Sequence, residues 1–162
     1  PCPTIVQQHL CPTIVPQQNS LVEVGFTTIG NCSRAMMIAA NVSYEMRFFL
    51  FREAYACATQ LDWLVLKMLD GVTKLRVEHW CGHLPQWSKA LRTWGEAGVV
   101  KVKTKTTPKL ANKGVTCMFT GYANAHAAGV YRMWDPTTNR VHVSHCLRFV
   151  CPCRGLWAPC AR

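Results

Sequence analysis

Five lysines in one short stretch, Lys101, Lys103, Lys105, Lys109 and Lys113, are the plainest chemical feature of the chain. The first three alternate with Val100, Val102 and Thr104. An extended strand therefore puts the ammonium groups on one face and the apolar groups on the other. A row of ammonium groups fits phosphate contact, which gives salt-dependent and sequence-independent affinity. Arg132, Arg140 and Arg148, on later segments of period two, extend this candidate nucleic-acid-binding set. A solvated edge strand also uses lysine to block strand pairing, and the two readings are compatible. Glu23 closes the run Pro16-Gln-Gln-Asn-Ser-Leu-Val-Glu23 at the opening of a helix. Taken alone it is a first-turn carboxylate favoured by the helix dipole. Cys81-Gly-His83 and the run His142, His145, Cys146, Cys151, Cys153 lack the paired spacing of common zinc sites. Cys32, Cys57 and Cys117 lie in apolar surroundings and read as small core residues. No glycine-rich phosphate loop and no Ser-His-Asp grouping is present.

The charge around these residues is uneven. The chain has 162 residues and a formal net charge of +10. Residues 1–88 hold six basic and six acidic side chains, whereas residues 89–162 hold twelve basic and two acidic, Glu96 and Asp135. The whole excess lies in the second half and invites a polyanion there, which predicts two units with different jobs. No apolar run reaches the roughly 18–20 residues of a membrane span, so no membrane partner is expected. The Pro-Cys-Pro start has no basic flank and is not read as a signal peptide. Ten cysteines without a secretory signal or regular spacing are read as free thiols.

The elements that must position these groups follow from periodicity. Cys2-Pro-Thr-Ile-Val6 recurs as Cys11-Pro-Thr-Ile-Val15, a local duplication in an extended leader, 1–15, expected to be poorly ordered. Leu21, Val22, Phe26, Ile29, Met36, Met37 and Ala40 recur at three- and four-residue steps and predict an amphipathic helix capped at Asn19 or Ser20. Asn41-Val-Ser43 breaks it, and Ser43 caps a second helix running through Leu66 and ending at Asp70-Gly71. An extended connector with aromatic anchors, Trp80 and Trp87, carries the chain on to residue 88. From Leu91 the period becomes two. Strands are predicted at Val100–Lys105, Val115–Tyr122, Val130–Trp134, Arg140–Val143 and Leu147–Val150, the third and fourth joined by the turn Asp135-Pro-Thr-Thr-Asn139. Five short strands with tight turns form a small barrel over 89–150. Trp63, Trp94, Trp134, Phe119 and Tyr131 are predicted core. The cysteine-rich tail, 151–162, is expected to be poorly ordered.

The Pro-Gln-Gln-Asn run with its following Glu resembles the end of the integrase catalytic core of copia-type retrotransposon polyproteins, a ribonuclease-H-like domain. Glu53–Leu61 looks like the last long helix of such cores, and Thr73–Pro85 looks like their connector. Leu91-Arg-Thr-Trp-Gly95, Cys117-Met-Phe-Thr-Gly-Tyr122 and Tyr131-Arg-Met-Trp-Asp-Pro136 resemble three blocks of the Src-homology-3-like barrel that follows, and Val141-His-Val-Ser144 fits its closing strand. The resemblance covers roughly 12–150. It implies an α+β fold: remnant helices of the core, 16–88, then a basic all-β barrel.

In that family two magnesium ions hold the scissile phosphate between three carboxylates and join a DNA 3′ hydroxyl to it. The resemblance makes Glu23 the third carboxylate. No Asp precedes Asp62 and no Glu precedes Glu23, and magnesium needs several oxygen ligands. The chain alone is therefore expected to be catalytically incompetent, to bind no magnesium by itself, and to keep only DNA contact through the barrel. The resemblance implies DNA and the remainder of the integrase or Pol polyprotein as partners, in the nucleus or a cytoplasmic particle. The alternatives are a non-enzymatic protein-interaction module built on the barrel, and a decayed retroelement product without activity. Without the central sheet of the core, the two helices are expected to expose an apolar face.

Overall fold

A computed structural model describes residues 19–101, 114–123, 126–145 and 147–150. The leader, the tail, Lys103, Lys105, Lys109, Lys113 and Cys146 lie outside them. The described chain is mixed: a helical pair, a small hairpin with a short helix, and a five-stranded antiparallel sheet.

Helix α1 is Ser20–Ala39. It stops at Asn41, whose φ of 53° is left-handed. The Val42 N–H then reaches back to the Met37 carbonyl (3.1 Å) and the Asn41 N–H to that of Ile38 (3.0 Å). This paired closure satisfies the last carbonyls of a helix, and it turns the chain sharply enough for a second helix to fold back. Val42, at the turn, is buried. Helix α2, Tyr44–Asp62, starts after Ser43 as expected. The Ser43 side chain does not cap it; its buried Oγ finds no hydrogen-bond partner among the described residues.

The buried line of α1 is Gly30, Ser33 and Met37, continued by Ala40. Leu21, Val22 and Phe26, predicted to face a core, are exposed instead. The physical reason is that the cover over α1 reaches only its C-terminal half. The expected exposed apolar face is thus present at the N-terminal half. On α2 the line Met46, Leu50, Ala54, Cys57 and Ala58 is buried at helical spacing.

The second helix ends earlier than its leucine periodicity implied. Leu66–Leu69 is strand β1, paired antiparallel with β2, Val72–Leu75. Asp70 and Gly71, at φ 52° and 76°, form the turn between them. Two residues with positive φ match the right-handed twist of a hairpin, so Asp-Gly acts here as a hairpin turn and not as a helix stop. Trp63 lies in the bend between α2 and β1 and is 43 % exposed, against the expectation of a core residue. The connector holds a short helix, α3, Arg76–Cys81, closed by Gly82 at φ 75°, and then a 3-10 turn, Gln86–Ala90.

The sheet strands are β3 (Ala97–Lys101), β4 (Gly114–Tyr122), β5 (Tyr131–Asp135), β6 (Arg140–Ser144) and β7 (Leu147–Phe149). Their order is β6-β5-β4-β3-β7, every pair antiparallel. The last four predicted strands are present; the first, predicted from Val100, begins at Ala97, and its predicted part beyond Lys101 lies outside the described residues. On one face Phe119, Tyr131 and Phe149 pack edge to face, with ring centroids 5.4–6.2 Å apart. The other face of β4 and β5 meets α2: a Cβ on Gly121 would stand 3.8 Å from Cys57 Cβ. A register shift between Phe119 and Gly121 leaves Thr120 buried, its hydroxyl donating to the Arg132 carbonyl at 3.0 Å.

One hydrophobic core runs from Met37, Met46 and Leu50 through Trp94, Met118 and Phe119 to Met133 and Trp134. The charge boundary near residue 88 is therefore not a boundary of the core. Gly95 shows how tight the join is. Its φ is 86°, and a Cβ there would stand 2.3 Å from Ala40 Cβ, so only glycine fits.

Candidate functional site

The lysine strand is seen at its first member. Lys101 is the exposed last residue of β3, opposite Gly114, while Val100 beside it is buried. This is the alternation expected from the sequence. Arg148 pairs with Val99 across β7, which puts it on the same face as Lys101, and it too is exposed. Arg140 opens β6 opposite Asp135, at the end of the sheet where Lys101 also lies. Lys101 and Arg148 thus share one face on adjacent strands, whereas Arg140 lies on β6, at the opposite edge of the sheet.

Arg132 does not join them. Alternation along β5 sends Tyr131 and Met133 to the aromatic interior and Arg132 to the helical side. There its Nε and Nη2 donate to the two carboxylate oxygens of Glu53 on α2, at 3.0 and 2.8 Å. A bidentate pair of this kind fixes geometry as well as charge. The guanidinium expected to face DNA instead ties the helical pair to the sheet. Gln60 adds a second tie, its amide bridging the Tyr122 backbone: Nε2 donates to the carbonyl at 3.2 Å and Oε1 accepts from the N–H at 3.4 Å.

Glu23 sits exposed in the first turn of α1. The other described carboxylates are mostly engaged elsewhere. Asp62 pairs with Arg76, Glu96 with Arg92, and Glu53 with Arg132. Asp135 accepts from the Thr137 N–H and the Thr138 hydroxyl, both at 2.8 Å. No group of three or more His, Cys, Asp or Glu that could hold a metal ion exists among the described residues. A single exposed carboxylate does not fit two-magnesium chemistry, which needs convergent oxygens.

The thiols are arranged for packing. Cys57 and Cys117 are buried and free; Cys32 and Cys81 are free and exposed, so the expectation that Cys32 is core fails. Burial, with Glu53 nearby, pushes the Cys57 thiol up to about 12, and burial beside Asp135 pushes Cys117 to about 11. Neither supplies a thiolate at neutral pH.

Sequence reasoning missed an open cleft of about 690 Å3 where α2, the connector and the loop after β4 meet. Trp63, Trp87, His83, His126 and Gln60 line it. Trp87 stacks on Tyr122 with centroids 4.8 Å apart. These residues come from distant parts of the chain, so no local spacing announces them.

Among known families, residues 97–152 match the retroviral polymerase SH3-like domain. The match begins at the first residue of β3 and includes every strand of the sheet, and it supports a retroviral or retrotransposon polymerase region for this chain. No curated protein and no solved structure matches it. Among the described residues no helix is long and apolar enough to cross a membrane.

Proposed function

We propose that the chain is a piece of a copia-type integrase in which the last helices of a ribonuclease-H-like core are joined to a basic barrel. Its role is DNA contact through phosphates rather than strand transfer. The observation that carries this reading is the retroviral polymerase SH3-like match over 97–152, which lies within the half holding the entire positive excess. Lys101 and Arg148 share an exposed face at the edge of that sheet. The exposed N-terminal half of α1 is what a helix cut from a larger core would present.

The test is a titration of duplex DNA across salt. Affinity should fall steeply as salt rises, about 0.9 log units per log unit of salt for each phosphate contact. Replacing Lys101, Lys103 and Lys105 together by Gln should reduce both the affinity and that slope. Salt-independent binding, or none at low salt, would refute the lysine face. A magnesium-dependent nicking assay should give nothing; activity abolished by Glu23→Gln would refute the incompetence of the isolated chain.

A further inference from the structure

We propose that the groove between the end of α1 and the start of α2 docks an acidic amphipathic helix of a partner protein. The groove encloses about 440 Å3, within the roughly 300–1,000 Å3 of ordinary ligand pockets. Met37 forms its buried floor. Ile38, Tyr44, Phe48 and Phe51 form walls that remain open to water, with Tyr44 and Phe48 more than 70 % exposed. Large aromatic groups on one exposed face are a contact surface by the ordinary rule of apolar patches.

Charge selects the occupant. The lining carries two cations, Arg34 and Arg47, and no acidic residue. Neither arginine pairs with a carboxylate among the described residues. Each is steadied by a neutral acceptor: Arg34 Nη1 donates to Asn31 Oδ1 at 3.1 Å, and Arg47 Nε to the Val42 carbonyl at 3.2 Å. An apolar slot flanked by pre-positioned guanidinium groups matches a helix whose apolar anchors fall at three- and four-residue steps and whose flanks bear carboxylates. A second copy of this chain would bring the same arginines together on a molecule of net charge +10. A nucleic acid would find little to pair with beyond the arginines and the Tyr44 hydroxyl. The Tyr44 and Phe48 rings also stand at 89° to each other, 6.2 Å apart, which offers a cleft for an aliphatic knob and no flat stacking platform.

The experiment uses the full chain and a labelled helical peptide with leucine anchors and glutamate flanks, read by fluorescence anisotropy. A second peptide keeps the anchors and carries lysine flanks. The acidic peptide should bind, more weakly as salt rises, and the lysine peptide should not. Phe48→Ser, and Arg34→Glu with Arg47→Glu, should each weaken binding about tenfold or more. Phe49→Ser should leave it unchanged, because Phe49 is equally exposed but does not line the groove. Circular dichroism on each variant separates lost binding from lost folding. No binding, equal binding of both peptides, or an equal loss in Phe49→Ser would overturn the proposal. So would self-association, or oligothymidine binding, that depends on Phe48.

Discussion

Strand β4 and the first half of α1 are about equally apolar and meet opposite fates. Cys117 through Tyr122 is buried without a break, while Leu21 and Phe26 are 85 % and 61 % exposed. The difference lies in what stands on either side. β4 has the aromatic cluster of Phe119, Tyr131 and Phe149 on one face and α2 on the other. The start of α1 has neither among the described residues. Each such side chain forgoes about 1.5–3 kcal/mol by staying in water. An apolar run therefore states that a segment wants a cover, without naming the cover or promising that this chain supplies it.

The sharpest way to break this contrast is to cut into the covered strand. Phe119→Ala should destabilise the chain by about 3–5 kcal/mol, measured by denaturant unfolding, because it empties the centre of the aromatic cluster. A loss below about 1 kcal/mol would mean that β4 is not the shared core. Next in size is the tie between the two regions. Glu53→Gln should cost about 1–2 kcal/mol, since Glu53 is largely buried and the partly exposed Arg132 keeps some hydration. A double-mutant cycle with Arg132→Met should show coupling, and additive effects would argue that helix and sheet are not joined there.

A smaller effect concerns the turn that joins β5 to β6. Burial pushes the Asp135 carboxyl up, and the hydrogen bonds from Thr138 and Thr137 more than offset this, leaving it below its ordinary value of 3.8. A depressed folded pKa adds stability that is complete above the unfolded value and is lost as pH falls through the folded one. Stability should therefore drop on acidification below about pH 4, and Asp135→Asn should flatten that limb while costing about 1 kcal/mol at neutral pH. The smallest effect is expected at the uncovered helix. Leu21→Ser with Phe26→Ser should change stability by no more than about 0.5 kcal/mol and should improve solubility. A large loss would reveal a cover for α1 within this chain.

The legible parts of the sequence were those fixed by neighbours. Period-two alternation placed β4 to β7, and Asn41 marked the helix break because it tolerates a left-handed φ. The Asp70-Gly71 hairpin reads instead as a helix stop, because Leu-Lys-Met-Leu and Val-Thr-Lys-Leu on either side do not alternate strictly. The leucine spacing at Leu61, Leu64 and Leu66 masked it, because short apolar runs satisfy both periods. Arg132 was not legible. A basic residue on a strand beside other basic strands reads as a phosphate ligand, and nothing nearby in sequence points to Glu53.

Local sequence thus settled the break at Asn41, the alternation of β4 to β7, and that the net positive charge lies after residue 88, since backbone conformation and strand parity depend on residues a few places apart. Tertiary structure alone decided that β4 is covered twice, that Arg132 faces a helix, and that Arg34 and Arg47 share a groove with Phe48. Those outcomes depend on which surfaces meet, and they bring together residues as far apart as Glu53 and Arg132, which no local pattern records.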